Sequence, residues 1–296
     1  MKKVISVLIA ALPLSVHAAD WINCGTDYQG NDVNCQYKIE NKTLTIRGVG
    51  NQGNIGWWQS DNSYRAPWYG QSVTNVVIED SIKNLGYQGF AGVQSNNPIV
   101  IPSGIKTISQ DAFKYVNVPE VIIPDTVTSI GGYAFCYSSI EKINIPDSVK
   151  SIADHAFLGA EKLTDIVIPD SVQKIWPGAF TNCRNLQTLT IGENTVLDDI
   201  FGDYGGSSSN TNLSNLKIYC TGDTKKCDDN LAAAGYSDLK SIAATSKKIN
   251  DKTYVLDKNG NIVATSGERA NKRIYTIEEA NLVSKPTKNR VSIRYR

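Results

Sequence analysis

Histidine is nearly absent from this sequence. Two occur in 296 residues, and His17 lies in an N-terminal leader, so His155 alone is left for imidazole chemistry. There is no glycine-rich phosphate loop, no nucleophile elbow and no His-containing metal-ligand cluster. The six cysteines include no Cys-x-x-Cys pair, which counts against a zinc site. Beyond the leader no apolar run reaches membrane-spanning length. These gaps argue against an enzyme and against a transmembrane anchor. Asp and Glu are plentiful, 29 together, but nothing singles out a pair, so a glycan-directed hydrolase is a distant third reading.

The leader is Met1 to Ala18. Lys2 and Lys3 start it, Val4 to Leu14 is too short to cross a bilayer, and Val16-His17-Ala18 supplies small residues for cleavage. Cleavage is expected after Ala18. No cysteine stands just past the cut, so a lipid anchor is not expected.

What the sequence does have is a repeat. Ile101-Pro102, Ile123-Pro124, Ile145-Pro146 and Ile168-Pro169 return at intervals of 22, 22 and 23 residues. Ala112-Phe113, Ala134-Phe135, Ala156-Phe157 and Ala179-Phe180 keep the same beat. Ile105/Ile108, Val127/Ile130, Val149/Ile152 and Val172/Ile175 fall between them. Self-similarity at this period means a solenoid, whose coils bury their apolar faces only by stacking. In Ile143-Asn144-Ile145 the flanking pair points inward and the middle residue outward. Proline ends the strand. Asp125, Asp147 and Asp170 suit a turn whose carboxylate accepts nearby amides; a calcium ladder is the sharper but weaker reading. The outward column is Val77, Val100, Ile122, Asn144, Val167 and Thr190. It is either β-branched residues suited to exposed strands or an apolar stripe where a partner docks. His155 shares its repeat position with Asp111, Tyr133 and Gly178 and is expected to face solvent.

These phrases resemble the BspA-like class of bacterial leucine-rich repeats over roughly residues 40 to 220. Val76-Val77-Ile78 with Phe90, Leu189-Thr190-Ile191-Gly192 and Leu216-Lys217-Ile218 read as degenerate units. The resemblance implies a β-rich leucine-rich-repeat superhelix with a parallel sheet on its concave face. It also implies a cell-surface or secreted binding protein, often an adhesin.

Export puts the cysteines in an oxidising compartment. Cys24 with Cys35, and Cys220 with Cys227, frame short loops and are expected to pair. Cys136 and Cys183 sit two coils apart, on the order of 10 Å at sheet spacing, too far for a disulfide.

The expected organisation is a signal peptide over 1–18, an N-terminal cap over 19–75, the solenoid over 76–220, a C-terminal cap over 221–240 and a small α+β appendage over 241–296. Trp57, Trp58, Tyr64, Trp68 and Tyr69 either form an aromatic platform for sugar or plug the open end of the apolar column. Gly202 to Asn212 reads as an exposed loop, Asp228 to Ala234 as a short helix and Ser241 to Asp251 as a linker. A hairpin is expected around Asp257-Lys258-Asn259-Gly260, a helix starting at Thr276 and a final strand over Arg290 to Arg296. Residues 240–296 hold 13 Lys/Arg and 5 Asp/Glu, net +8, whereas residues 20–239 hold 15 and 24, net −9. The basic tail suits an anionic envelope or a sorting role, or is a solvated structural cap. The leading expectation is a non-enzymatic exported protein, without cofactor or nucleic-acid partner, that binds a protein or glycoprotein through the concave sheet. The alternative is an envelope component in which the repeats act as a spacer and the tail anchors.

Overall fold

The computed structural model describes residues 20–24, 34–50, 55, 66–202, 211–249, 252–259 and 261–266. The N-terminal cap contributes β1 (Ile22–Asn23), β2 (Cys35–Glu40) and β3 (Thr43–Gly48), and β4 (Asn75–Ile78) opens the repeats. Each following coil lays down two short strands, because each repeat carries two apolar phrases separated by a turn. They are β5 (Ile99–Val100) and β6 (Thr107–Ile108), then β7 (Glu120–Ile122) and β8 (Ser129–Ile130). β9 (Lys142–Asn144) and β10 (Ser151–Ile152), β11 (Asp165–Val167) and β12 (Lys174–Ile175), and β13 (Thr188–Gly192) and β14 (Val196–Leu197) continue the pattern. β15 (Lys217–Thr221), α1 (Thr224–Ala233), β16 (Ser241–Ile249), β17 (Lys252–Asp257) and β18 (Ile262–Ser266) complete the described chain.

The first strands of the coils pair in parallel as β5-β7-β9 and as β11-β13-β15-β16, and β9 lies beside β11, so they make one main sheet. The second strands form a parallel sheet of their own, β6-β8-β10-β12-β14. Between the sheets each proline carbonyl accepts the amide three residues on. Ile105, Val127, Val149 and Val172 donate to Pro102, Pro124, Pro146 and Pro169 at 3.0–3.1 Å. The hydroxyls of Thr126, Ser148 and Ser171, each just after a Pro-Asp, donate to the Ile105, Val127 and Val149 carbonyls of the preceding coil. They tie one turn to the next.

The Ala-Phe phrase closes each coil and stacks. The rings of Phe90, Phe113, Phe135, Phe157 and Phe180 lie 5.2–5.5 Å apart with planes within 14°. Successive coils are near-translated copies, so identical side chains meet face to face at about strand spacing. Backbone bonds run along the same edge: Phe113 donates to Ala134 O (2.8 Å), Phe135 to Ala156 O (2.7 Å) and Phe157 to Ala179 O (2.9 Å). Tyr133 and His155, each just before its Ala-Phe, hold φ of 55°. That left-handed backbone is costly for a side chain. It is offset because the same residues donate to the next coil, Tyr133 to Asp154 O and His155 to Pro177 O, both 3.0 Å.

Both ends of the ring stack are plugged. Trp68 is buried against Phe90 (6.2 Å) and meets Tyr37 edge-on (5.5 Å), and its indole N–H donates to Gly89 O at 2.9 Å. At the far end Phe201 lies on Phe180 (6.4 Å) and Tyr236 meets it edge-on (5.3 Å). The Tyr236 hydroxyl donates to Asp199 Oδ1, and burial followed by that hydrogen bond raises its pKa. A disulfide joins Cys24 to Cys35 across β1–β2, and another joins Cys220 on β15 to Cys227 in α1. Asp223 caps α1, its carboxylate accepting the Lys225 amide at 2.9 Å. Cys136 and Cys183 are buried thiols, both pushed up to about 12 by burial.

Two expectations need correction here. Ser241 to Asp251 is no linker: 241–249 form β16, which pairs in parallel with β15 (Tyr219 opposite Ile242) and prolongs the main sheet. Its Ser/Ala/Lys composition carries no alternating apolar pattern, and Ala244 alone of its described side chains joins a buried cluster. His155 is not solvent-facing but 3% exposed. Its ring stacks on Tyr133 at 4.7 Å, and Gly178 in the next coil makes room, since a Cβ there would fall 2.6 Å from His155 Nε2. The hairpin expected near Asp257 is β17–β18, with the Asp257 carboxylate accepting the Asn259 and Asn261 amides at 2.8 and 2.9 Å. The leader, most of the Gly202–Asn212 loop, the helix expected from Thr276 and the strand expected over Arg290–Arg296 lie outside the described residues.

Candidate binding surface

The outward column runs from β4, the last strand of an N-terminal sheet β1-β2-β3-β4, onto the main sheet beside it. Thr45 pairs with Val77, Val100 with Ile122, Ile122 with Asn144, Val167 with Thr190 and Thr190 with Tyr219. Alternation puts Val121, Ile143 and Ile166 on the opposite, buried side. The line divides in two. Val77 and Val100 are 40% and 56% exposed, and Ile122 and Asn144 are partly exposed. Val167 is 5% exposed and Thr190 0%.

The closed half lies under the C-terminal hairpin. After β16 the chain turns back through antiparallel β17 and β18, and β18 comes to rest against β11 and β9. Strand-to-strand twist accumulates in one direction, so a sheet extended past its last coil curls over its own face. Val167, Tyr219, Ala244 and Val255 pack there as a separate apolar cluster, with Val263 against it. Val167 and Thr190, expected to meet a partner, are therefore interior positions. At the mouth of this roll Ile145, Asp147, Val167, Asp170, Thr221 and Ser246 line a cleft of about 280 Å³. The Thr221 hydroxyl donates to Asp170 Oδ1 and lies 3.2 Å from Ile191 O.

Of the expected aromatic platform, Trp57, Trp58 and Tyr64 lie outside the described residues. Trp68 is the core plug, and Tyr69 lies beside Gly92, where a Cβ would come 2.8 Å from its ring. The aromatic surface on the described residues is elsewhere, on the Ala-Phe side of the coils. Tyr115 and Tyr137, both exposed, stack at 5.6 Å. Tyr133, His155 and Trp176 follow nearby. Sequence reasoning weighed only the aromatics ahead of the repeats, Trp57 to Tyr69, although Tyr115 and Tyr137 recur two residues after their Ala-Phe phenylalanines. The Asp125, Asp147 and Asp170 ladder puts one carboxylate on each coil. Among the described residues no three His, Cys, Asp or Glu side chains converge, and no helix is long and apolar enough to cross a membrane.

Stacked coils, a parallel main sheet and plugged ends define a leucine-rich-repeat solenoid. The sequence profile of the BspA type leucine rich repeat region matches six copies over residues 64–187 and 106–226, more than half of the chain. The chain belongs to this family. Among solved structures it is similar to a leucine rich cell surface protein from Faecalibacterium prausnitzii (24% identity over 56% of this chain, TM-score 0.32) and spans 54% of that protein. It is also similar to the leucine-rich repeat protein of T. pallidum (21% identity, 70% of this chain and 95% of that one, TM-score 0.32). The pneumococcal vaccine antigen PcpA is more remote (11% identity, 78% and 99% covered, TM-score 0.29). No curated protein matches the chain at a significant level.

Proposed function

We propose that this is an exported, non-enzymatic binding protein that docks a protein or glycoprotein at the bacterial surface on the open half of its main-sheet column. The observation that supports this reading is the run Val77, Val100 and Ile122. Three aliphatic rungs in succession stand on a sheet face that the described residues bury from Val167 onward. Exposed strand positions tolerate polar residues, so a contiguous aliphatic stripe bounded by a closed roll suits docking. Asn144 sits where the open half meets the roll and supplies the polar edge.

The test uses the full chain and a Val100→Glu/Ile122→Glu double variant, immobilised against solubilised surface proteins. Both positions point away from the core, so the variant melts like the parent. It loses the captured partner, because two unpartnered charges in a contact core weaken binding by at least about 2 kcal/mol, about thirtyfold. Undiminished capture by the variant removes the column from the interface. The second reading, an envelope spacer held by its basic end, draws on the net charge of +8 over residues 240–296. It is favoured if neither protein captures a partner and the chain fractionates with the envelope in a salt-sensitive way.

A further inference from the structure

The Ala-Phe side of the solenoid carries rings, carboxylates and lysines in a recurring arrangement. Lys114 Nζ lies 3.0 Å from Asp111 Oδ1 and 5.4 Å and 5.6 Å from the Tyr133 and Tyr115 ring centres. Lys174 Nζ lies 2.9 Å from Asp198 Oδ2 and 3.8 Å from the Trp176 ring centre. Each is an ammonium held between a carboxylate and an aromatic face. Between these two sites opens a cleft of about 410 Å³ lined by Tyr133, Asp154, His155, Trp176, Pro177 and Asp198. It has the rings and it has a carboxylate, Asp154, whose side chain is half exposed. His155 Nδ1 stands 3.5 Å from that carboxylate, and among the described residues no lysine or arginine pairs with it. Tyr133 and Trp176 each already meet a lysine, whereas Asp154 between them meets none of the described ones.

We propose that this cleft binds the ammonium or guanidinium group of a basic polypeptide, the cation lying against Trp176 and paired with Asp154. The indole is the strongest cation–π partner among side chains. Lys174 covers one side of it and leaves the residue exposed overall. A flat sugar fits less well. Tyr133 is stacked by His155 and approached by Lys114, so its face is not open to a pyranose ring. The cleft lies on the Ala-Phe side of the coils, away from the main-sheet column, and this proposal stands apart from the docking proposed there.

The probes are n-butylammonium and arginine amide, with n-butanol and methyl glucoside as neutral comparators. They are titrated into the full chain while the Trp176 indole N–H resonance, assigned by its loss in Trp176→Phe, is followed by NMR. Both cations shift that resonance saturably, and the neutral compounds do not. Raising salt from about 0.05 to about 0.5 M weakens the response. Asp154→Asn, which keeps the side chain's shape at a half-exposed position, weakens binding at least fivefold while the remaining spectrum stays as in the parent. Absence of a saturable shift, an equal shift with butanol, a shift with the glucoside alone or undiminished binding in Asp154→Asn would each overturn the proposal.

Discussion

Phe135→Ala tests how the coils hold one another. The ring is fully buried, with Phe113 5.4 Å on one side and Phe157 5.3 Å on the other, both planes within 5°. Removing it deletes a large apolar side chain and two aromatic contacts at once. The space cannot close easily. The backbone at this point is pinned to the next coil by Phe135 to Ala156 O at 2.7 Å and to the previous one by Phe113 to Ala134 O at 2.8 Å. A rigid site of this kind puts Phe→Ala at about 3–5 kcal/mol, a range that already includes the lost stacking, about 0.5–1.5 kcal/mol per pair. In a one-dimensional stack the weakness is local before it is global. Urea unfolding gives the total cost, and hydrogen exchange by mass spectrometry locates it. Exchange should rise first in peptides spanning 112–157 and least in 35–48 and 217–233. A cost below about 1 kcal/mol, or exchange that rises first in the caps, would refute the stacking argument.

The closed half of the column makes the opposite prediction from the open half. Val167→Glu buries a charge under the hairpin and should lower stability by several kcal/mol, while Val100→Glu stays within about 0.5 kcal/mol; thermal melts of the two single variants separate them. The Cys24–Cys35 and Cys220–Cys227 loops, with separations of 11 and 7 residues, should each contribute about 2–3 kcal/mol, read from urea melts with and without reductant. Cys136 and Cys183, with thiols pushed up to about 12, should resist alkylation at pH 8 until the chain is unfolded. Asp228 ties α1 to β16, its Oδ1 accepting both the amide and the hydroxyl of Ser241 at 2.7 Å. Burial alone would raise its pKa, but those bonds and Lys240 hold it below the ordinary value. Its contribution is therefore complete above the unfolded value of about 3.9 and is lost as pH falls through the lower folded value. Acid titration should release the Ser241 amide to exchange in that window, and Asp228→Asn should abolish the pH dependence.

The solenoid was legible because its determinants are local and repeat in register. Ile-x-Ile-Pro, Val-x-x-Ile and Ala-Phe each act on the same part of every coil, so one coil read correctly reads them all. The Trp68 plug was one of two readings of a tryptophan just ahead of the stack. What escaped depends on chain neighbours far away. Strand alternation says that Val167 leaves the core, but not that Val255 and Val263 arrive from the C-terminal hairpin to pack in its cluster. His155 looked like a variable surface residue, and only the missing Cβ of Gly178, a coil later, makes the slot that buries it. β16 was missed because its apolar residues, Ile242, Ala243, Ala244 and Ile249, do not alternate and give a weak strand signal, and pairing with the already formed edge of β15 supplies the rest. The aromatic cleft draws on separate coils: Tyr133 and His155 share one repeat position but Trp176 falls at another, so no single phrase announces it.

The central claim is that a partner docks on the open half of the main-sheet column. Hydroxyl-radical footprinting of the full chain, alone and with its captured partner, reads side-chain exposure along the whole surface in one experiment. Val77, Val100 and Ile122 should lose labelling in the complex, while Tyr115 and Tyr137 on the Ala-Phe side keep theirs and Val167 stays unlabelled in both states. Protection of Tyr115 and Tyr137 with the column still labelled would contradict the account.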